Sequence, residues 1–594
     1  MPHHRPMTDF VDLLTDLDAR FTRLQAERGI PGTAWGVVRD GRLARSGGAG
    51  TVSRRDGSTP TADHVFRIAS MTKSFTAATV MLLRDDGRLR LDDPAAAHVP
   101  ALGDWRPYSA DSNPVTIRDL LTMSSGLATD DPWGDRQQGL PLDEFERMLA
   151  AGPSFALPPG VVFEYSNLGY GILGRVVTSA AGREYREVVR DRLLAPLGMA
   201  STGYLEEEVP EERLMHGYVR QGEELVREGR DPYGALASMG GVFSTVRDLA
   251  VWASGFLDAF PARDAPEGPH PLRRASRREM QQGHRPIGVS VAPHPLDAAP
   301  LVAASAYGFG LEVTSDAELG TLVAHAGGYP GFGSHMAWHP ASGIGVIGLG
   351  SLRYAPMRPA VNAALRALVE ADAVPRRRVR PIPAIEPAVA AVDRLVEAWD
   401  DGVADGLFAM NMDLDDPRER RRAAVEAAVA AVGGPLRPDP DWPPTSATPA
   451  HRSWWRRGER GWLRISVLMD PEPAPRLQSL SVEAVVDPSP SLVKAAEAAL
   501  AAAASGAALP GDLDVADTLD RALQARSARA AAARFGAMRL GRPVAGDGVS
   551  KATWRLETDR GGGAQLGIAV DQRDGALTEV SILAAERSTP DEAW

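Results

Sequence analysis

The spacing of apolar and polar positions at the start of the chain predicts a helix followed by a hairpin. A helical period over residues 8–28 predicts an amphipathic helix whose apolar face is formed by Phe10, Leu13, Leu14, Leu17 and Phe21. A β-hairpin is then predicted from T-A-W-G-V-V (33–38), the turn Asp40-Gly41 and L-A-R-S-G-G (43–48).

The next 250 or so residues are mostly helical by pattern. The stretch F-R-I-A-S-M-T-K-S-F (66–75) opens a predicted helix at its S-x-x-K pair, and the helical pattern runs on through A-A-T-V-M-L-L (77–83). Further helices are predicted at 116–127, closed by Gly126, at about 170–194, and after the glycine-rich start of 237–250, with Ser244 or Thr245 as N-cap. Residues 258–300 are rich in Pro, Arg and His, and we expect an irregular insertion there.

Short strands return before residue 372. They are predicted at 309–314, 321–326, 334–339 and 344–350, and a helix over 357–371 follows them. Strands at both ends with helices between them predict an α+β domain, in which one antiparallel sheet is assembled from both ends of the segment.

The rest of the chain contains an internal sequence repeat with a period of about 100 residues. Trp455-Arg456 recurs as Trp554-Arg555, and I-S-V-L-M-D (465–470) parallels G-I-A-V-D (567–571). We therefore expect two small α+β modules, each with two helices followed by three strands. The predicted domains are 1–372, a Pro/Arg-rich linker at 373–384, a first module at 385–486 and a second at 487–594.

Composition narrows the class of protein. The 594 residues are 44% hydrophobic and 24% charged, which is typical of a soluble globular protein. A net charge of −12 argues against a nucleic-acid or anionic-membrane partner, and the lack of cysteine excludes disulfides and thiol catalysis. The N-terminal residues lack a secretory apolar core and no apolar run is long enough to span a bilayer, so we expect a cytoplasmic protein without a membrane partner.

Candidate chemistry begins with Ser70 and Lys73, an S-x-x-K pair that opens a predicted helix. Residues three apart on a helix share a face, so the amine can lie beside the hydroxyl and act as the base that activates it. Lysine occurs elsewhere only at 494 and 551, whereas the other basic residues are arginine. Because arginine does not give up its proton in proteins, a lysine kept at position 73 favours a chemical role.

Two other motifs have simpler explanations. Ser491 and Lys494 repeat the S-x-x-K spacing, but this serine is expected to cap an Ala-rich helix after a proline and the lysine to be solvated. Gly343, Gly345 and Gly348 spell G-x-G-x-x-G inside a predicted strand with no helix after it, which excludes a dinucleotide site. No histidine cluster has metal spacing, so no metal and no cofactor are expected.

Two further segments carry reactive groups. Tyr165 heads Y-S-N (165–167), and a tyrosine close to Lys73 could share a proton with it, since an ammonium favours the phenolate. His325 heads H-A-G-G (325–328), where a small residue lets a substrate carbonyl approach and the amide of Gly328 can donate to it. Taken alone, the first segment is better explained by a buried tyrosine with a satisfied hydroxyl, and the second by a structural histidine at a strand end.

Together, S-x-x-K, Y-S-N and H-x-G in this order resemble the serine β-lactamase and penicillin-binding superfamily. The resemblance is greatest to the branch of class C β-lactamases, D-aminopeptidases, DD-carboxypeptidases and family esterases. It covers about residues 8–372 and includes I-P-G-T-A-W-G-V-V-R-D-G (30–41), T-I-R-D-L-L-T-M-S-S-G-L (116–127) and S-T-V-R-D-L-A (244–250). The fold that it implies, a helical part packed on an antiparallel sheet, agrees with the order of elements predicted above.

The resemblance also implies roles for individual residues. Ser70 is the acylated nucleophile, Lys73 is its hydrogen-bonded base, and Tyr165 passes the proton to the leaving group. Asn167 orients Lys73 and the substrate, and the oxyanion hole consists of the backbone amides of Ser70 and Gly328.

His325 departs from the β-lactamase pattern, which has a lysine in K-T-G at this position. A largely neutral imidazole anchors a β-lactam carboxylate less strongly than a permanent ammonium. We therefore expect a serine hydrolase of small esters or amides, with D-amino-acid peptides among its candidate substrates. β-Lactamase or DD-carboxypeptidase activity is one alternative, and a non-catalytic ligand-binding or scaffold protein on a hydrolase fold is another.

The substrate pocket and the tail are predicted from position alone. The expected pocket residues, including one in the 128–140 loop, are Trp133, Tyr233, Gly327, Tyr329 and Phe332. Neither C-terminal module has a nucleophile–base pair, a metal cluster or a basic patch, so we expect the modules to serve a structural or interaction role, such as formation of a homo-oligomer.

Overall fold

The computed structural model describes residues 7–53, 57–229, 231–292, 301–317, 319–370, 379–505, 509, 513–517, 519–559 and 563–584. These residues form two compact units, one within Arg5–Val291 and Leu301–Val374 and the other within Pro375–Trp594. The predicted domain boundary at residue 372 lies outside the described residues.

The first unit is built on an eight-stranded sheet with the spatial order β2-β1-β12-β11-β10-β9-β8-β7. Short pairs β3–β6 and β4–β5 lie outside it. In chain order its strands are β1 (Gly32–Arg39), β2 (Arg42–Gly50), β3 (Phe66–Arg67), β4 (Tyr218–Gln221), β5 (Glu224–Arg227), β6 (Phe243–Ser244), β7 (Arg285–Ala292), β8 (Leu301–Tyr307), β9 (Glu312–Asp316), β10 (Gly320–Tyr329), β11 (Phe332–His339) and β12 (Ile344–Gly350). The antiparallel pairing of β1 with β12 joins the two ends of the segment, as the sequence predicts.

Most helices of this unit fall between β3 and β7. They are α1 (Met7–Arg28), α2 (Thr72–Asp85), α3 (Ile117–Leu121), α4 (Asp131–Gly134), α5 (Leu142–Ala151), α6 (Asn167–Ala181), α7 (Tyr185–Val189), α8 (Ala237–Gly240), α9 (Val246–Leu257), α10 (Arg274–Met280) and α11 (Met357–Glu370). The predicted α+β class, with an antiparallel sheet and a large helical region, is confirmed.

The sheet separates two hydrophobic cores. Successive residues of β1 point to opposite faces, so Ala34 packs in the core beneath the helical region, while Trp35 packs in the core beneath α1 and α11. Phe21 of α1 stacks on Trp35 with ring centroids 5.3 Å apart. Because both faces of β1 are covered, its sequence is apolar almost throughout instead of alternating.

Four predicted elements of the first unit are wrong in part, and the first is the helix predicted at 116–127, which ends at Leu121 and is not closed by Gly126. The helix predicted at 170–194 stops at Gly182, whose φ of 67° closes α6 in the left-handed conformation, and a new helix starts at Tyr185. The insertion predicted at 258–300 contains α10 and β7, which its Pro- and Arg-rich composition conceals, and residues 293–300 lie outside the described residues. The strand predicted at 309–314 begins at Glu312, and β8 precedes it.

The second unit consists of two modules, each with helices followed by a four-stranded sheet. The first module has α12 (Ile385–Glu397), α13 (Asp401–Leu407), α14 (Met412–Asp415), α15 (Arg418–Val432), β13 (Arg437–Pro438), β14 (His451–Arg457), β15 (Gly461–Met469) and β16 (Leu477–Val486). The second has α16 (Pro490–Ser505), α17 (Arg521–Phe535), β17 (Met538–Ala545), β18 (Lys551–Thr558), β19 (Ala564–Val570) and β20 (Leu577–Ala584). Across both units, none of the helices described is long and apolar enough to cross a membrane.

The modules repeat as predicted, but each has one strand more than the three expected, and the first has four helices where two were expected. β13 has only two residues, and the pairing of β17 with β18 shifts register around Pro543, so neither strand shows a clear alternation. The expected match of Trp455 with Trp554 is also displaced by one residue. Trp454 and Trp554 are the buried tryptophans that face the cores of their own modules, opposite Ile465 and Leu566.

Candidate active site

Ser70 lies at the junction between β3 and α2, in a 3₁₀ turn formed by Ala69–Met71. The residue before it, Ala69, has a φ of 51°, a left-handed conformation that is uncommon for a residue with a Cβ. Strained backbone of this kind persists only where the surrounding structure enforces it, and it often marks a functional site. Ser70 is 9% exposed, so little of the residue that carries the hydroxyl is in contact with solvent.

Lys73, on the first turn of α2, reaches back to Ser70. Its Nζ lies 3.1 Å from Ser70 Oγ, 2.7 Å from Asn167 Oδ1 and 2.8 Å from the carbonyl oxygen of Met239. The last two atoms can only accept hydrogen bonds. A neutral amine therefore satisfies both with its two hydrogens and turns its lone pair toward the Ser70 hydroxyl.

Burial favours the neutral form of the Lys73 amine. The side chain is fully buried, and the loss of solvation lowers its pKa from 10.5 to about 8, although Asp131, Asp135 and Asp130 oppose the shift by favouring the ammonium. A base works best when its pKa is near the operating pH. The amine is thus close to the balance point at which it can take and return a proton.

Asn167 is held in place by two aspartates that precede it in the chain. Asp130 accepts the backbone N–H groups of Asn167 and Leu168, each at 2.7 Å, and so anchors the start of α6. Asp131 Oδ1 accepts a hydrogen bond from Asn167 Nδ2 at 2.8 Å. The amide nitrogen is thereby committed to Asp131, which leaves Oδ1 for Lys73.

Tyr165 lies beside the Ser70–Lys73 pair, with its ring centroid 4.9 Å from Lys73 Nζ. Burial and the negative charge of Asp131 raise the pKa of its phenol well above 10, and a hydrogen bond with Ser70 opposes this only in part. The phenolate that the sequence analysis considered is therefore disfavoured, because desolvation outweighs the nearby ammonium. A neutral phenol in this position is a proton donor, not a base.

Strand β10 brings H-A-G-G against the turn that holds Ser70. A Cβ at Gly327 would lie 2.3 Å from the carbonyl oxygen of Ile68, and one at Gly328 would lie 2.4 Å from the ring of Tyr354. Position 327 therefore requires glycine, a side chain at 328 would displace the ring of Tyr354, and the backbone of β10 runs in direct contact with residues 68 and 69. The two predicted oxyanion donors, the amides of Ser70 and Gly328, belong to these adjoining segments.

His325 is fixed and neutral. Its Nδ1 lies 2.6 Å from the carbonyl oxygen of Ala326, an acceptor, so Nδ1 carries the proton and Nε2 accepts a hydrogen bond from the hydroxyl of Tyr307 at 2.9 Å. Burial lowers its pKa to about 4. The histidine lies within β10, not at a strand end as predicted, because the strand continues to Tyr329.

Some nearby residues were missed by the sequence analysis. Asp135 is buried, which raises its pKa to about 6, and Tyr354 donates a hydrogen bond to it at 2.5 Å. Tyr354 also covers Gly328 and has a φ of 51°. The acid-rich D-D-P-W-G-D (130–135) was a usable signal for the aspartates, whereas no sequence pattern points to Tyr307 or Tyr354.

The other predicted pocket residues differ in their exposure and in their contacts. Trp133, in α4, is 38% exposed, whereas the hydroxyl of Tyr233 donates to Glu184 at 2.5 Å. Tyr329 and Phe332 are buried, and the ring of Tyr329 packs against the guanidinium of Arg67. A role for these residues in substrate binding stays a prediction.

The motifs set aside in the sequence lie where they were expected. Gly345 and Gly348 are inside β12. Ser491 lies in the first turn of α16, although the helix is capped by Ser489, whose Oγ accepts the N–H of Leu492 at 3.4 Å, and not by Ser491 itself. Within the described ranges no group of His, Asp and Glu side chains is arranged to hold a metal ion.

Several known proteins are similar to this chain. A model of the β-lactamase family matches residues 17–371, more than half of the chain. Penicillin-binding protein 4 of Amycolatopsis lactamdurans is 33% identical over 274 residues, which are 44% of this chain and 68% of that protein. The β-lactamase-like protein 2 of Dictyostelium discoideum is 28% identical over 41% of this chain and 46% of its own length.

Two further similarities extend this picture. Protein flp of Staphylococcus aureus is 26% identical over 54% of this chain, but the match spans only 60% of that protein. Among solved structures, an octameric penicillin-binding protein homologue from Pyrococcus abyssi has a TM-score of 0.50 and 19% identity, and the match covers 96% of this chain and 98% of that one. The last similarity shows the fold alone. The extent of the family match establishes that the chain belongs to the β-lactamase family, within the serine β-lactamase and penicillin-binding protein superfamily.

Proposed function

We propose that this protein is a serine hydrolase that forms an acyl-enzyme on Ser70 and transfers the acyl group to water. The observation that carries the proposal is the contact of 3.1 Å between Lys73 Nζ and Ser70 Oγ, made by a buried amine whose pKa is lowered to about 8. Family membership supports a serine hydrolase in general.

In this mechanism each proton moves between named groups of the site, the substrate and water. Ser70 Oγ gives its proton to neutral Lys73 and forms a bond to the substrate carbonyl carbon, while the amides of Ser70 and Gly328 receive the negative charge on the carbonyl oxygen. When the bond to the leaving group breaks, the neutral Tyr165 phenol donates a proton to it, and the Lys73 ammonium restores the phenol. Water attacks the acyl-enzyme with the same groups acting in reverse.

We propose small esters or amides as substrates, with D-aminoacyl peptides as candidates. The support is His325, which is neutral because its pKa is about 4 and which is fixed by Tyr307 and Ala326. It supplies no positive charge to the carboxylate that β-lactam substrates carry.

β-Lactam binding or DD-carboxypeptidase activity is the second candidate, and the observation in its favour is the 33% identity to a penicillin-binding protein. One substitution can distinguish the two candidate functions. If the neutral histidine limits β-lactam binding, His325→Lys should increase the affinity for carboxylate-bearing β-lactams. Rapid hydrolysis of penicillins by the unmodified protein would instead favour the second candidate.

We also propose the domain division 1–372, 373–384, 385–486 and 487–594, with the C-terminal modules mediating self-association. The solved homologue from Pyrococcus abyssi is described as octameric, which supports an oligomer of this chain as a proposal. Light scattering of the full chain and of a chain ending at residue 372 tests it. The shorter chain should keep its reactivity at Ser70 and lose oligomeric mass.

A substrate screen tests the proposed activity. p-Nitrophenyl esters, D- and L-aminoacyl p-nitroanilides and nitrocefin are compared in the unmodified protein and in Ser70→Ala. We expect ester or D-aminoacyl hydrolysis to exceed nitrocefin hydrolysis and to disappear in Ser70→Ala. Turnover that persists in Ser70→Ala would contradict the assignment, and a complete lack of turnover with a folded protein would favour the non-catalytic alternative.

A further inference from the structure

Tyr354, in the loop between β12 and α11, lies against the strand that carries the proposed oxyanion donor. A Cβ at Gly328 would lie 2.4 Å from Cδ1 and 2.9 Å from Cε1 of Tyr354, so the edge of the ring covers this glycine. Tyr354 is nevertheless 51% exposed. An aromatic side chain that packs on a residue of the site and keeps half of its surface free is available for contact with a ligand.

The ring is held in this position at both of its ends. The backbone N–H of Tyr354 donates to the carbonyl oxygen of Phe332 at 3.0 Å, and its hydroxyl donates to Asp135 Oδ2 at 2.5 Å. Asp135 is only 4% exposed, so the hydroxyl is bound to a buried carboxylate. The φ of 51° at Tyr354 is a conformation that a bulky residue rarely adopts, and it persists only because the surrounding structure enforces it. The ring is therefore a fixed part of the structure.

Asp135 connects this ring to the groups around the proposed base. It directly follows α4, and the same short helix contains Asp131, whose Oδ1 accepts a hydrogen bond from Asn167 Nδ2 at 2.8 Å. Burial raises the pKa of Asp135 to about 6, and the Tyr354 hydroxyl and the charge of Lys73 oppose the shift. Asp135 thus lies within electrostatic reach of the Lys73 amine.

These contacts form a closed chain around the reactive groups. From β10 the chain runs through Tyr354 and Asp135 to α4. From α4 it continues through Asn167 to Lys73 and Ser70, and the turn that holds Ser70 packs on β10. Tyr354 is the link between β10 and α4, so its ring bounds the site on that side.

The substrate group nearest to this boundary is the acyl group. In the proposed mechanism the carbonyl oxygen lies on the amides of Ser70 and Gly328, and the leaving group lies toward Tyr165, which donates a proton to it. The remaining substituent of the carbonyl carbon is the acyl group, which can approach Tyr354 where the ring covers Gly328. Bulk next to the carbonyl needs the space that the ring fills, and the ring yields this space only by losing its bond to Asp135.

We propose that Tyr354 is a specificity-determining residue that limits the substrate to acyl groups that are small next to the carbonyl, such as acetyl or alanyl groups. This inference rests on the acyl-enzyme function proposed for Ser70. Among D-aminoacyl substrates it favours D-alanyl over D-residues with a branched or aromatic side chain.

Hydrolysis of p-nitrophenyl acetate and p-nitrophenyl trimethylacetate tests the inference, since the two esters share a leaving group and differ only in bulk next to the carbonyl. The measured quantity is the ratio of kcat/KM for the trimethylacetate to kcat/KM for the acetate. The intrinsic reactivities of the esters cancel when this ratio is compared between variants. Tyr354→Ala should raise the ratio about tenfold or more, because room for a single methylene group already changes specificity about 10–200-fold. Tyr354→Phe keeps the ring and should raise the ratio less.

Two further variants complete the test. Tyr354→Gly removes the same ring and suits a φ of 51°, so it should also raise the ratio, and it replaces Tyr354→Ala if that protein fails to fold. Tyr108→Ala is the matched control, because Tyr108 is similarly exposed, at 47%, and is no member of the chain of contacts around Ser70. Its ratio should be unchanged.

The possible failures are distinguishable. If the ratio is unchanged in Tyr354→Ala and Tyr354→Gly while hydrolysis of the acetate still requires Ser70, the inference is wrong and the proposed function stands. If the unmodified protein hydrolyses neither ester and no other acyl substrate, the proposed function is wrong and the inference fails with it.

Discussion

Lys73 Nζ and Asn167 Oδ1 lie 2.7 Å apart, although 94 positions separate the two residues in the chain. The contact joins the start of α2 to the start of α6, and the bond from Asn167 Nδ2 to Asp131 sets its direction. Asn167 therefore connects the amine that we propose as the base to a segment of acidic residues.

The first prediction concerns the charge at this contact. Asn167→Asp places a carboxylate against the amine, which stabilises the ammonium and raises the Lys73 pKa above its value of about 8. The pH profile of kcat/KM should then move to higher pH, and activity at pH 7 should fall. Asn167→Ala is the control, since it removes the contact without adding charge. If the pH profile of kcat/KM in Asn167→Asp is unchanged or moves to lower pH, protonation of Lys73 does not determine the pH dependence.

The second prediction is the pH dependence of the unmodified enzyme. Burial lowers the Lys73 pKa from 10.5 to about 8, so the neutral amine is the minor form at pH 7 and the major form above pH 8. Because the neutral amine is the proposed base, kcat/KM should rise with pH and level off above about 8. Below this pKa the rate should fall by about tenfold per pH unit. Activity that is constant from pH 6 to 9 would contradict the prediction.

The third prediction distinguishes proton transfer by Lys73 from the effect of its positive charge. Lys73→Arg keeps a cation beside Ser70 but cannot release a proton, so kcat/KM should fall by about 10²–10⁴ and the rise with pH should disappear. Circular dichroism provides the control for folding. Near-normal kcat/KM in a folded Lys73→Arg protein would mean that the amine acts only through its charge.

The residues that we propose as reactive could be selected from the sequence because each stands in a short motif. S-x-x-K places Lys73 one turn from Ser70 on any helix, and this geometry does not depend on the rest of the fold. The environment of each group could not be read in this way. The raised pKa of Tyr165 and the lowered pKa of His325 result from burial by segments far apart in sequence, among them β8 with Tyr307.

The successes and errors of the fold prediction also have physical causes. β1 and β12 were identified because strands covered on both faces are continuously apolar. β7 was missed because it is an edge strand with exposed side chains in a segment rich in Arg and Pro. Trp454 and Trp455 are adjacent, so letters alone could not show which of them faces the core as Trp554 does.

The fourth prediction concerns the contact between the C-terminal modules. Arg542 of β17 pairs with Asp439 and lies within 5.4 Å of the ring centroids of Trp442, Trp455 and Trp462, all from the first module. Removing one partner of a partly buried ion pair leaves the other charge without its counter-ion. Arg542→Ala should therefore lower the free energy of unfolding in urea by about 1–3 kcal/mol.

Arg539 on the same strand is the matched control for Arg542. Its side chain is 71% exposed, and its nearest ion-pair contact in the described residues is 3.7 Å away. Arg539→Ala should change the free energy of unfolding by less than about 0.5 kcal/mol. Equal effects of the two substitutions would show that the tryptophan-lined site does not stabilise the modules.

Labelling with a fluorophosphonate tests the central claim, that Ser70 is a nucleophile activated by Lys73, most directly. Intact-mass analysis and peptide mapping of the labelled full-length protein should show one adduct, on Ser70, and none in Ser70→Ala. In Lys73→Arg the adduct should form about 10²–10⁴ times more slowly. An adduct on Ser491 or Ser166, or labelling of Lys73→Arg at the rate of the unmodified protein, would contradict the account.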